Sequence, residues 1–173
     1  MEKILAHQFD LLEKQRHQLL DQVRQFPTVF NDRPGADKWS VHEILAHLIT
    51  AEKLSVQYIE KKRQGIDMVG NTGLIEELKM GVLKISQRLP LRFTAPKMVV
   101  AATPSYSSIE DLTADWDAVR ASLKQILEQI QENQLRKKIY KHFILGRLNI
   151  VHAVKFLQEH VNHHLPQVIR LLK

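Results

Sequence analysis

The sequence predicts an all-α protein built as a four-helix bundle, on three observations. Four segments repeat their apolar residues at helical spacing, each is bounded by its own capping or breaking residues, and no segment alternates apolar and polar residues over a useful length. A chain of 173 residues with 44% apolar and 25% charged side chains has the profile of one globular domain, residues 1–173, with one core. At this size folding requires neither a disulfide nor a structural metal, so any metal would serve function.

The first helix carries the stripe Leu5, Phe9, Leu12, Arg16, Leu19, Val23 and Phe26, broken only by Arg16, and should stop near Pro27. Residues 31–37 (Asn-Asp-Arg-Pro-Gly-Ala-Asp) read as a loop. The second helix begins at Ser40, with Glu43 placed to close a capping box and Trp39 placed to staple onto Ile44, and should run to about Arg63. Residues 66–107 are interrupted by Gly70, Asn71, Gly73, Pro90, Pro96 and Pro104, with a short helix over 74–88. Such a segment is long enough to return the chain along the bundle and set two successive long helices parallel. Ser107 and Ser108, with Glu110 and Asp111 at capping distance, open the third helix; its stripe is Ile109, Leu112, Trp116, Val119, Leu123, Ile126 and Ile130. After a turn around Gly146, Asn149 caps the fourth helix.

The absence of cysteine removes thiol nucleophiles, zinc ribbons, iron–sulfur clusters and disulfides. No apolar run approaches a membrane span, and residues 1–10 lack the apolar core of a signal peptide, so a cytoplasmic protein is expected. The net charge of +6 is spread as +1, +2 and +3 over residues 1–65, 66–107 and 108–173. Its one tight cluster, Arg136, Lys137, Lys138 and Lys141, suits the negative end of a helix. Nucleic-acid binding is therefore not the expected function, and a small-molecule substrate is. Leu11, Leu20 and Leu127 flank the main stripes and raise a homodimer as an option.

The histidines carry the chemistry. In the fourth helix the register Ile150, Val154, Leu157, Val161, His164, Val168, Leu171 is apolar at every position but His164. His160, one turn earlier, points into the same space, whereas His163 is rotated by about 100° toward the rim. The second helix repeats the anomaly, with His47 in the register Ile44, His47, Ala51, Leu54, Tyr58. Neutral imidazoles are common metal ligands, and two of them one helical turn apart can grip one ion. Spacing alone leaves this open against ordinary buried histidines, because it does not show that the second and fourth helices touch. His42-Glu43-Ile44-Leu45-Ala46-His47 is not a zinc-protease motif: its histidines are five residues apart, the rings diverge by about 140°, and His42 should face away from His47.

The segments Lys38-Trp39-Ser40-Val41-His42-Glu43-Ile44-Leu45-Ala46-His47-Leu48 and His160-Val161-Asn162-His163-His164-Leu165-Pro166-Gln167 resemble the two signature regions of the DinB/YfiT-like superfamily. The likeness extends over essentially the whole chain through helix count, order and the long connector. It implies an up-down-down-up bundle and a divalent metal, nickel or zinc, on His47, His160 and His164. Some members of that superfamily are transferases that use a low-molecular-weight thiol; many others have no assigned reaction. The resemblance thus points to a divalent-metal-dependent enzyme, a thiol-dependent S-transferase or a hydrolase, with a non-catalytic metal-binding or partner-binding bundle as the alternative.

Three neutral imidazoles leave an ion's charge uncompensated and a coordination position open, as a catalytic site requires. Such an ion lowers the pKa of a water or a thiol, and with no cysteine in the chain any thiol must come from outside. Candidates to support the site are Glu43, Glu52, Tyr58 and Gln167, against plainer readings as helix cap, solvated face, core residue and surface residue. Trp39 and Trp116 read as packing residues. Pro166 removes one helix hydrogen bond between His164 and Gln167.

Overall fold

The computed structural model describes residues 1–36, 38–88 and 97–173. Asp37 of the predicted loop, and Pro90 and Pro96 of the connector, lie outside them. The described residues form α1 (Lys3–Arg24), α2 (Val41–Arg63), α3 (Leu74–Arg88), α4 (Lys97–Ala102), α5 (Ile109–Glu128) and α6 (Ile150–Leu171), with short 3-10 turns between them. One antiparallel hairpin, β1 (Tyr140–His142) and β2 (Gly146–Leu148), precedes α6. The protein is thus mostly helical, and the four predicted long helices are α1, α2, α5 and α6.

Local chemistry sets the helix starts. Ser40 Oγ accepts from the Glu43 backbone N–H at 3.2 Å while Glu43 Oε2 accepts from the Ser40 N–H at 2.9 Å, the reciprocal capping box of α2. Ser108 Oγ caps Asp111 N–H at 3.0 Å, and Asn149 Oδ1 caps His152 N–H at 2.8 Å. α1 stops three residues before Pro27. Leu5, Phe9, Leu12, Leu19 and Val23 of α1 are buried as the stripe requires, and so are Leu112, Trp116, Val119, Leu123 and Ile126 of α5.

α1 packs on α6, α6 on α2 and α3, α2 on α5 and α4, and α5 touches α1. The second and fourth predicted helices are therefore neighbours. The first half of α2 is buried on all sides, from Val41 and His42 through Ile44–Thr50, as expected of a helix enclosed by others. Polar residues there must find internal partners: Thr50 Oγ1 donates to Ala46 O at 2.8 Å.

Four expectations need correction. The hairpin was not predicted; its strands are three residues each, too short for an alternation to show, and Gly146 supplies the positive φ of 78° at its turn. The basic cluster does not sit at a helix end. α5 finishes at Glu128, and Arg136–Lys138 instead run antiparallel to Gly70–Thr72: Thr72 N–H donates to Arg136 O at 2.7 Å and Lys138 N–H to Gly70 O at 2.9 Å. Their side chains fasten the start of the connector, Lys137 Nζ on Val69 O at 3.1 Å and Lys138 Nζ on Glu76 at 3.0 Å. Leu20 and Leu127 are buried within the chain, so of the three flanking leucines only Leu11 is exposed.

Glu52, placed on a solvated face by its spacing, is buried between α2 and α5. It accepts from the indole Nε1–H of Trp116 at 3.0 Å and lies 2.5 Å from Arg120 Nε. Arg120 also meets Glu13 at 3.0 Å, and Glu13 meets the buried Arg16, which pairs with Asp117 as well. The one break in the α1 stripe is thus an internal ion-pair network joining α1, α2 and α5. Glu52 therefore serves the core and makes no contact with the histidine cluster.

Candidate metal centre

α2 supplies His47 and α6 supplies His160 and His164, and the packing of α2 on α6 brings the three rings together. Their centroids form a near-equilateral triangle: 5.1 Å between His47 and His160, 5.0 Å between His47 and His164, and 5.0 Å between His160 and His164. The rings stand steeply to one another, at 68° to 80°, so they present nitrogen edges and not stacked faces. His47 and His164 are buried and His160 is half-buried.

His47 Nε2 and His160 Nε2 approach to 3.2 Å. Two imidazole nitrogens bound to one ion at about 2.0–2.1 Å subtend roughly 100° at it when about 3.2 Å apart, an ordinary angle for tetrahedral or octahedral coordination. Gln167 Oε1 lies 3.1 Å from His164 Nδ1. With that nitrogen donating its N–H, Nε2 of His164 keeps its lone pair. One ligand nitrogen from each ring lies within 4.8 Å of the others.

Burial holds these rings neutral. The His47 pKa falls to about 4 and that of His164 to about 3, in both cases chiefly through desolvation, and His160 is pushed well below the ordinary histidine range by desolvation and by its two neighbours. Neutral rings offer lone pairs, which is the state a metal needs. Nδ1 of His47 is buried without a hydrogen-bond partner among the described residues, so no hydrogen bond from them turns this ring away from the centre. The donor set is nitrogen only and fits a borderline divalent ion such as zinc or nickel better than an oxygen-seeking one such as magnesium or calcium.

Aromatic residues wall the cluster. The Trp39 ring lies 5.1 Å from His47, and Phe156 stacks on His160 at 5.7 Å with an interplanar angle of 11°. Behind Phe156, at 4.5 Å, stands the edge of His142, a buried residue of β1 whose Nδ1 accepts from the backbone N–H groups of Ile144 and Leu145, both at 3.2 Å. Sequence reasoning passed over His142, since a three-residue strand gives no register from which to place it. His152, at the start of α6, is also buried and bonds Glu77 of α3 at 2.9 Å, away from the cluster.

The remaining candidates divide. Gln167 supports His164 directly. The carboxylate of Glu43 is taken up by Ser40 and by Arg33, whose Nε lies 2.9 Å away; the Arg33 hydrogen bond is the main reason its pKa is lowered. Tyr58 packs edge-on against Tyr140 at 6.1 Å. Trp116 is fully buried against Glu52. His163 sits beside His164, with Nδ1 3.1 Å from Gln87 O of α3. His42 does face away from His47: its Nε2 accepts from Tyr106 N–H at 3.0 Å and its ring lies 5.2 Å from Phe30. α6 continues through Pro166, so Gln167 stays one turn from His164.

Fold and site together define an α-helical protein with a buried three-histidine cluster able to hold a metal ion. The chain belongs to the DinB superfamily, whose family model matches residues 11–168. It is similar to the uncharacterised protein YuaE of Bacillus subtilis (strain 168), with 24% identity over 145 residues, 80% of each chain. No solved structure matches it. No helix among the described residues is long and apolar enough to cross a membrane.

Proposed function

We propose that this protein is a divalent-metal-dependent enzyme of small-molecule chemistry, of the thiol-dependent transferase or hydrolase type, with His47, His160 and His164 as the metal ligands. The observation that carries this reading is the convergence of three neutral, largely buried imidazoles from two helices, with no carboxylate closing the set among the described residues. A divalent ion there, zinc or nickel, supplies Lewis acidity toward a water or an external low-molecular-weight thiol.

The protein's own residues have separate tasks in this reading. Gln167 fixes the tautomer and tilt of His164. Trp39 packs against the His47 ring and Phe156 covers one face of the His160 ring, which holds both rings in place. An up-down-down-up arrangement, with α2 and α5 parallel and the connector between them as the crossover, belongs to the same proposal; Lys53 on Asp115 and, further along both helices, Arg63 on Gln129 support it. So does a single domain over residues 1–173, matched by the family model over most of its length.

The test is a screen of thiol-transfer and hydrolytic reactions with and without a chelator. Turnover that disappears on chelation and returns with added zinc or nickel, while the helical spectrum stays constant, supports the enzyme. A protein that binds the ion but turns over nothing with or without it favours a non-catalytic metal-binding bundle.

A further inference from the structure

α3 has two apolar faces, and among the described residues only one is covered. Met80 and Leu83 are buried against the body of the protein. On the other side Leu74, Ile75, Leu78, Val82 and Ile85 are 88%, 68%, 71%, 58% and 64% exposed. At 100° per residue these five fall within one arc, centred roughly 180° from the buried face. Lys79 Nζ donates to Leu145 O at 3.2 Å, which sets the hairpin tip beside α3, and Phe143 and Ile144 of that tip are also more than half exposed.

We propose that this face is the contact between two copies of the chain, an antiparallel pairing of α3 with its symmetry mate about a two-fold axis passing beside Gly81. Three features of α3 select a second copy. Gly81 is the middle residue of Leu74–Arg88 and is exposed at the edge of that arc, where an added Cβ would meet nothing. An exposed glycine at a helix centre weakens the helix, and close approach of another backbone gives it a use. The stripe runs on both sides of it, with Leu78 three residues before and Ile85 four after, so a two-fold axis there lays each half on the other half of the mate.

The charges are self-complementary in the same sense. Glu77 flanks the stripe in the first half of α3, and Lys84 and Arg88 flank it on the same side in the second half. A two-fold axis sets Glu77 of each copy opposite the basic end of the other. Within the chain Glu77 already meets His152 and Arg88 meets Glu159, each with more than half of its side chain exposed, so the exposed Lys84 is the cation placed to reach Glu77 of the mate.

The area is sufficient. Fully burying side chains of this kind removes roughly 60–120 Å² each, so the seven named residues offer roughly 300–600 Å² of apolar surface per copy. With apolar atoms making up about 65% of a homodimer interface, the pair buries roughly 900–1,800 Å², overlapping the range of stable interfaces.

Sedimentation velocity on the full chain at micromolar concentrations tests the proposal. The wild type is expected at twice the 20.1 kDa chain mass. Leu78→Glu with Ile85→Glu should weaken association about a hundredfold or more, and Gly81→Gln about tenfold. Both variants should keep the helical spectrum, since all three positions are solvent-facing in one copy. Lys84→Glu should weaken association more at low salt than at high salt. A wild type that stays monomeric, or a dimer indifferent to both the double variant and Gly81→Gln, overturns the proposal. A monomer that floats with anionic lipid vesicles overturns it too and assigns the stripe to a membrane surface.

Discussion

Replacing Glu52 by alanine leaves Arg120 with Glu13 as its remaining carboxylate partner and takes from the Trp116 indole N–H its acceptor. Glu52 and Arg120 are each 2% exposed, and the same carboxylate accepts the indole N–H of the fully buried Trp116. Removing one partner of a buried ion pair costs about 3–5 kcal/mol; Arg120 keeps Glu13 at 3.0 Å, which places the loss at the lower end, about 3 kcal/mol. Against a total stability of about 5–15 kcal/mol for a domain, this is a large loss. With a urea m-value near 2 kcal/mol/M it moves the unfolding midpoint down by about 1.5 M. Glu52→Gln keeps an oxygen for Trp116 and loses the charge, so a smaller loss of about 1–3 kcal/mol is expected. Replacing both members, Glu52→Leu with Arg120→Met, should recover most of the alanine loss, since two desolvated charges are removed together. Urea titration followed by far-ultraviolet circular dichroism measures all three. An alanine variant within about 0.5 kcal/mol of wild type would refute the reasoning and return Glu52 to a solvated face.

Gln167→Ala should weaken zinc binding about 10- to 100-fold by freeing the His164 ring, measured by competition with a chromophoric chelator; an unchanged affinity contradicts the orienting role. His142 is buried with its pKa lowered to about 4, so its contribution to stability is complete above the unfolded value near 6.5 and is lost as pH falls toward 4. Asparagine there can accept the same two backbone N–H groups without titrating. The stability of wild type relative to His142→Asn should therefore fall by about 1.4 kcal/mol per pH unit over that window, and a difference constant with pH would count against it. Gly146→Ala forces a side chain into the left-handed region at φ 78° and should cost about 1–2 kcal/mol, a lowered thermal midpoint with no loss of neighbouring contacts; an unchanged midpoint would place the strain elsewhere.

Much of the fold was legible because helix signals are local. Ser40 with Glu43, Ser108 with Asp111, and Asn149 each announce a helix start within four residues, and the stripes of α1 and α5 repeat over five or more turns. The histidine trio was legible for the same reason, since His47 and His164 each interrupt an otherwise apolar register and His160 lies one turn before His164. The contact between α2 and α6 was not legible, because periodicity says which face is buried and not against what. Glu52 was misplaced for a related reason: it lies just past the enclosed first half of α2, on the side that α5 covers, and a carboxylate there must pair internally. Arg16 broke a stripe that Asp117 and Glu13 mend from other places in the chain. The basic run at 136–138 looked like a helix end because charge was read without its partners, Val69, Thr72 and Glu76, which lie more than 60 residues earlier.

The central claim is that His47, His160 and His164 hold one divalent ion. Elemental analysis of untagged protein, purified without a chelating resin and then reconstituted with zinc or nickel, tests it beside His47→Ala and His164→Ala. The account predicts about one ion per wild-type chain and none in the two variants, all three remaining folded by circular dichroism. A folded wild-type protein that takes up no ion, or variants that retain it in full, would contradict it.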